Sequence, residues 1–365
     1  MELNRIEGAT AWRGPEIQMS QDGVHVMSDG ELAEVAKALE HLEKAGDLDL
    51  LGITRENFPL DRFGTFLIQQ QATLRSGRGF LLLRGLSRGN FSDDQMARIY
   101  FGLGAYLGHP LPQSYLGDVL GHVINISDIE EKPRGYHAGG AQDMHTDSCD
   151  IVALLCLRRA KSGGASRIVS VATVHNAILD ENPELLKALY GTYIFRRTDI
   201  DAKYGAGVTT RPISIFSRES GALSCYLSVT YPRRAVEMGE ATMSPLQVEA
   251  LAAIERIASS PENYFDMSIE QGDIQFLNNR VLLHGRTDYV DFPEMARRRH
   301  MMRFWLQVPS WEPMPDSQIM HTKEDHDLWG ARRIKNMELP SVYLDGLRKQ
   351  AARAEESKRR STVST

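Results

Sequence analysis

QDMHTDSCDIVALLCLRRAKSGGASRIVS, running from Gln142 to Ser170, holds two β-like runs joined by a glycine-rich turn. The first, IVALLCL, is apolar throughout and of strand length, so it reads as a buried strand. The second, SRIVSV, follows Gly163-Gly164, a dipeptide suited to a reversal of the chain. Immediately before the buried run stand His145 and Asp147. In an extended strand, residues i and i+2 point to one face. The two side chains would therefore project together, with Thr146 opposite, in a geometry that lets both bind one metal ion. Alone the pair says little: with 11 histidines, about 0.6 His-x-Asp pairs are expected by chance. His41-Leu42-Glu43 has the same spacing but lies in a helical pattern, where residues two apart do not face each other.

Working outward, further short runs have strand character: GFLLLRGL, GHVINISD, ISIFS, LSCYLSV, GDIQFLNN, RVLLHGR and RHMMRFWLQV. Most are bounded by Gly, Pro, Asn or Asp. Helix starts are legible at Ser28 with Glu31, Ser92 with Gln95, and Ser244 with Gln247, each a capping-box pattern. In VHNAILDENPELLKALYG, Asn182 and Pro183 restart a helix after a break. Many short strands with a few flanking helices favour a mainly β fold, a sandwich or jelly roll, over an alternating parallel sheet. No repeat or linker divides the body, so residues 1–348 are expected to form one domain with a β core at about 80–309. The charged segment 349–365 is expected to be a solvated helix ending in a disordered terminus.

Composition excludes several classes of function. The 365-residue chain has a formal net charge of −6, with both signs interspersed, and lacks the basic stripe of a nucleic-acid binder. No apolar run approaches the roughly 20 residues of a membrane span, and the first residues, MELNRIEGATAW, lack a secretory apolar core. Cys149, Cys156 and Cys225 are odd in number and lack C-x-x-C spacing. They point to a reducing cytoplasm rather than to a disulfide framework or a zinc knot. The sequence leaves a homo-oligomer open.

A second region gives the His–Asp pair weight. In GDIQFLNNRVLLHGRTDYVDFPEMARRRHMMRFWLQ, residues 272–307, His284 ends an apolar strand and precedes Gly285, where backbone or ligand could approach closely. Two histidines and one carboxylate form the facial triad of non-haem Fe(II) oxygenases, although the same three ligands also serve catalytic zinc. Downstream, Arg299, Arg303 and Trp305 differ by even offsets and would share one strand face. Two arginines on an inward face require anionic partners, because unpaired buried charge is costly.

Taken together, HTD at 145–147, AKSGGAS at 160–166, GD at 272–273, NNRVLLHGR at 278–286 and RRHMMR at 298–303 resemble the taurine dioxygenase/TfdA family of Fe(II)- and 2-oxoglutarate-dependent oxygenases. The resemblance implies a double-stranded β-helix, a jelly-roll variant. It implies iron ligation by His145, Asp147 and His284, and O2 and 2-oxoglutarate as cosubstrates. Arg299 would pair with the distal carboxylate of 2-oxoglutarate and Ser166 would add a hydroxyl there. Arg303 matches a position that in some members holds an anionic group of the substrate, and Gln113 lies where a substrate contact is expected. With Asp147 present, hydroxylation is implied in preference to the halogenation of relatives that lack this carboxylate, with desaturation and ring closure as other outcomes of the same chemistry.

The chain departs from the taurine enzymes in two places. TDYVDFPEMAR lengthens the interval from His284 to Arg299, and PLPQSYLGD lacks the histidine they place near the substrate. Both departures argue against taurine itself. The expected substrate is a small anionic metabolite, with specificity in loops such as 110–140 and 199–211. A larger biosynthetic intermediate, or a metal-binding jelly roll without turnover, are the competing readings.

Overall fold

The computed structural model describes residues 3–20, 22–130, 133–197 and 208–363. Its scaffold is two sheets face to face, each backed by helices. The larger sheet runs, in spatial order, Val24–Val26, Phe80–Arg84, Ile274–Asn278, Ile151–Arg158, His300–Gln307 and His109–Leu111, and Gly121–Val123 also pairs with His300–Gln307. The smaller runs Tyr264–Met267, Ser166–Ser170, Leu282–Arg286 and Gln142–His145. Chain neighbours are divided between them: Ile274–Asn278 of the larger sheet is followed by Leu282–Arg286 of the smaller, and Ile151–Arg158 of the larger is followed, past the short strand Ser162–Gly163, by Ser166–Ser170 of the smaller.

The alternation of side chains along each strand explains why both faces of the larger sheet are apolar. Ile151, Ala153, Leu155 and Leu157, with Met302, Phe304 and Leu306, pack against the helices Asp29–Lys44, Arg62–Ser76 and Asp93–Gly104. Their neighbours Val152, Cys156, Met301 and Trp305 turn inward and meet Ile168, Phe265 and Leu282 of the smaller sheet. The outer face of the smaller sheet, including Val169 and Leu283, is covered by Val171–Glu181, Pro183–Tyr190 and Pro245–Ala258. Each fully buried Leu, Ile or Phe contributes roughly 1.5–3 kcal/mol, and together these layers make the core.

The three capping boxes form as the sequence predicts, with Ser28, Ser92 and Ser244 each accepting from the backbone N–H three residues on. Asn182 caps the helix that begins at Pro183. Other expectations need correction. More of the chain is helical than extended, so the fold is sheet-rich and mixed rather than mainly β, and the sheets do not close into a barrel. His284 lies in the middle of its strand, not at the end. Several strands went unread, among them Val24–Val26, His109–Leu111, Gln142–His145, Tyr264–Met267 and Thr192–Arg196. The last pairs with Thr210–Ser214 in a hairpin separate from both main sheets. The final helix runs Pro340–Val363 and carries the charged C-terminal segment. Among the described residues no helix is long and apolar enough to cross a membrane.

Candidate active site

The site forms where two strands of the smaller sheet approach unusually closely. His284 pairs directly with His145, and the register slips by one residue between His284 and Arg286. Gly285 sits at the slip. A Cβ there would lie 2.6 Å from the Gln142 carbonyl oxygen, so only glycine lets the strands close and bring the imidazole centroids to 4.3 Å. Asp147 follows the end of its strand and is clamped by the buried Asn279. The Asn279 carboxamide oxygen accepts from the Asp147 N–H at 2.9 Å, and its nitrogen donates to the carbonyls of Asp147 and, at 3.2 Å, Cys149. Asn279 belongs to the tight turn that carries the chain from the larger sheet to the strand of His284. One turn thus clamps Asp147 and leads directly into the strand of His284.

The ligand atoms of His145, Asp147 and His284 all lie within 4.8 Å of one another, with Asp147 Oδ2 3.8 Å from His284 Nε2. His145 Nδ1 is 2.8 Å from the Asp143 carbonyl oxygen, a contact that requires Nδ1 to carry the proton and leaves the Nε2 lone pair for a metal. Burial, then the proximity of His145, push His284 down to about 3, so it is a neutral donor at physiological pH. Burial acts to raise the Asp147 carboxyl, but Arg303, His284 and His145 outweigh it and hold it below the usual carboxylate range. Trp305 Nε1–H donates to Asp147 Oδ2 at 2.9 Å. Two imidazoles, that of His284 neutral, and an ionised carboxylate converging on one point suit an open-sided divalent iron site. A cavity of about 490 Å³ reaches His145 and Asp147.

Arg299 lies away from the cavity lining. It is 6% exposed, and its Nη1 is buried with no hydrogen-bond partner among the described residues. Its polar contacts are long or through its backbone: Nη2 to the Gly164 carbonyl at 3.4 Å, and its amide to Asp291 Oδ1 at 2.7 Å. Burial, then the nearby Arg286, lower it to about 10, so it stays cationic. A buried guanidinium with an orphaned donor fits a carboxylate that arrives with a ligand. The AKSGGAS segment makes room for it: a Cβ on Gly164 would sit 3.0 Å from Arg299 Nε. The longer interval after His284 also has a role, since Tyr289–Val290 pairs with Ser162–Gly163 and sets Tyr289 beside Arg299. Ser166 is buried on the adjoining strand and donates to Gln275 Oε1 at 2.9 Å.

Arg303 and Gln113 do line the cavity, but they hold each other. Arg303 Nε donates to Gln113 Oε1 at 2.8 Å, and Nη1 reaches Asp147 Oδ2 at 3.3 Å. The Gln113 nitrogen donates to the carbonyls of Val119 and Arg303. Sequence reasoning expected Arg303 on an inward strand face, meeting an anionic group of the substrate; in the structure it lines the cavity, and the carboxylate it reaches is that of Asp147. That reasoning missed Asn279, which lies inside a quoted motif, and it put Trp305 on the inward face without its bond to Asp147. Tyr136, which stacks under Arg303, gave no signal. Of the expected specificity loops, residues 131–132 and 199–207 lie outside the described residues.

Residues 43–305 match the family described as taurine catabolism dioxygenase TauD, TfdA family. The chain is 30% identical to FR-33289 synthase of Streptomyces rubellomurinus over 87% of its own length and 94% of that protein. It is 27% identical to the taurine hydroxylase-like protein SAT17 of Stachybotrys chartarum, over 88% and 86% of the two chains. In fold it resembles asparagine oxygenase in complex with Fe(II), 3-hydroxyasparagine and succinate, with a TM-score of 0.64, 14% identity, and 81% and 98% of the chains covered. It also resembles the non-haem iron oxygenase OrfP in complex with Fe, succinate and (3S)-hydroxy-L-Arg, with a TM-score of 0.60, 13% identity, and 82% and 99% covered. The match over residues 43–305, with the triad and the buried arginine in place, assigns the chain to the TauD/TfdA family of non-haem iron, 2-oxoglutarate-dependent oxygenases.

Proposed function

We propose that the protein hydroxylates an unactivated C–H bond of a small, anionic organic metabolite, with His145, Asp147 and His284 as the iron ligands. The observation that carries this reading is the convergence of the three ligand atoms, two of the three residues lining an open cavity, together with a buried Arg299 guanidinium whose Nη1 has no hydrogen-bond partner among the described residues. When bound, Fe(II) with 2-oxoglutarate and O2 supplies the oxidising chemistry, releasing succinate and CO2. The chain's own part is placement. The Asp143 carbonyl fixes the His145 tautomer, Trp305 and Arg303 hold the Asp147 carboxylate, and Arg299 with Ser166 receives the distal carboxylate of the cosubstrate. On this reading the facing sheets are the two halves of a double-stranded β-helix, as their alternating strand assignment suggests. The three buried, unpaired cysteines suit a cytoplasmic setting.

A second reading of the substrate is favoured by one contact. Arg303 is already engaged by Asp147 and Gln113, so it can serve as a structural partner while the cavity takes a larger intermediate without an anionic group. Screening metabolites of both kinds for substrate-triggered succinate formation separates the two. Asp147→Ala tests the triad itself: iron retention and succinate production should both fall by orders of magnitude, and unchanged succinate production would overturn the assignment.

A further inference from the structure

Arg286, two residues past His284, has no place in the chemistry described so far. Its side chain is buried on the inner face of the smaller sheet, at 7% exposure, and its Cα pairs in register with Ser166. It forms no ion pair with any described carboxylate. Nε donates to the Gly140 carbonyl at 3.0 Å and Nη2 to the Ala138 carbonyl at 3.3 Å, while Nη1 makes no hydrogen bond to a described residue. Arg299 approaches from the position that leads into His300–Gln307 of the larger sheet. The two guanidinium carbons lie 4.9 and 5.5 Å from the centroid of the same ring, that of Tyr289. Two buried like charges beside one aromatic ring, neither in an ion pair with a described carboxylate, repel each other and lack solvent to screen them. One incoming monoanion would offset only part of this. A carboxylate can also pair with the guanidinium N–H groups that make no hydrogen bond to a described residue.

The partners of Arg286 give the second half of the inference. Ala138 and Gly140 belong to the segment that leads into Gln142–His145, and Ala138, Gly139 and Ala141 line the cavity. Any shift of the Arg286 guanidinium toward an anion must pull on, or release, these two carbonyls.

We propose that Arg286 is a second cation of the cosubstrate pocket and that it transmits cosubstrate binding to the 138–141 wall of the substrate cavity. The proposal rests on the reading of Arg299 as the marker of that pocket. Arg286 acts as a positioning residue for the wall and as an electrostatic partner for the distal carboxylate. Its guanidinium spans the pocket and the loop, which the shorter reach of Lys or the neutral head of Gln cannot fully replace.

The test uses the full chain, with 2-oxoglutarate as the probe, in wild type, Arg286→Gln, Arg286→Lys and Arg299→Gln. Two readouts are taken without turnover: the anaerobic Fe(II)–2-oxoglutarate visible band as a titration, and amide exchange over residues 137–141 with and without 2-oxoglutarate. Arg286→Gln should weaken 2-oxoglutarate binding roughly tenfold or more, Arg286→Lys should recover part of it, and the exchange response of 137–141 should disappear in Arg286→Gln. If Arg299→Gln loses binding while Arg286→Gln binds as wild type does, the proposal fails and the pocket reading stands. If neither variant changes binding, the pocket reading fails and takes the proposal with it. Should Arg286→Gln not fold, the wild-type exchange experiment decides: a 137–141 segment indifferent to 2-oxoglutarate overturns the coupling.

Discussion

Asn279→Ala removes a side chain that touches no metal, yet it should cost the protein its metal. The Asn279 carboxamide makes three hydrogen bonds, all to the backbone of Asp147 and Cys149, at a position 1% exposed. Each bond is worth about 0.5–1.5 kcal/mol net, and leaving buried partners unsatisfied adds about 1–3 kcal/mol apiece. A loss of about 3–5 kcal/mol is therefore expected, a large share of a typical 5–15 kcal/mol. The adjacent residue supplies the control. Asn278 is equally buried and also makes three bonds, accepting from the Arg280 N–H and donating to the carbonyls of Leu74 and Arg75. Its donor bonds tie the sheet to a helix and do not touch the loop of Asp147. Urea denaturation should show comparable destabilisation of Asn278→Ala and Asn279→Ala. Anaerobic Fe(II) or Co(II) titration under conditions where both are folded should separate them, with about a 10–100-fold loss of affinity for Asn279→Ala and little change for Asn278→Ala. Equal metal affinities in the two variants would refute the reasoning, because the clamp would then be contributing stability alone.

Gly285→Ala should act through the opposite strand: the added Cβ meets the Gln142 oxygen at 2.6 Å, so His145 must move by several tenths of an ångström, metal affinity should drop at least tenfold and stability by about 1–3 kcal/mol. A titration matching wild type would show that the strands tolerate separation without loss of the site. Acid should destabilise the fold through histidines remote from the metal. Burial lowers both His122 and His175 to about 4, so the folded state takes up these protons less readily than the unfolded chain, whose histidines titrate near 6.5. Their stabilising contribution is complete above pH 6.5 and is lost progressively as pH falls from about 6.5 to 4. The urea midpoint should fall across that window, and less steeply in His122→Asn; a flat profile between pH 7.5 and 4.5 would contradict it.

Much of this site is legible in the chain because its chemistry depends on residue types at short spacings. His145 and Asp147 two apart, His284 beside Gly285, and an arginine fifteen residues on are local signals, and helix caps such as Ser28 with Glu31 depend only on neighbouring backbone. Tertiary structure decided what those groups do to one another. Whether Arg303 faces a substrate or Asp147 depends on which strand lies opposite, and a strand face read by parity cannot reveal it. Asn279 looks like an ordinary turn residue until the crossing between sheets sets its carboxamide against the Asp147 backbone. Arg286 and Arg299, thirteen positions apart, one in the smaller sheet and the other leading into the larger, become a pair of buried like charges only when the sheets stack. Side-chain chemistry is written residue by residue, but desolvation and the identity of the nearest opposite charge are properties of the packed interior.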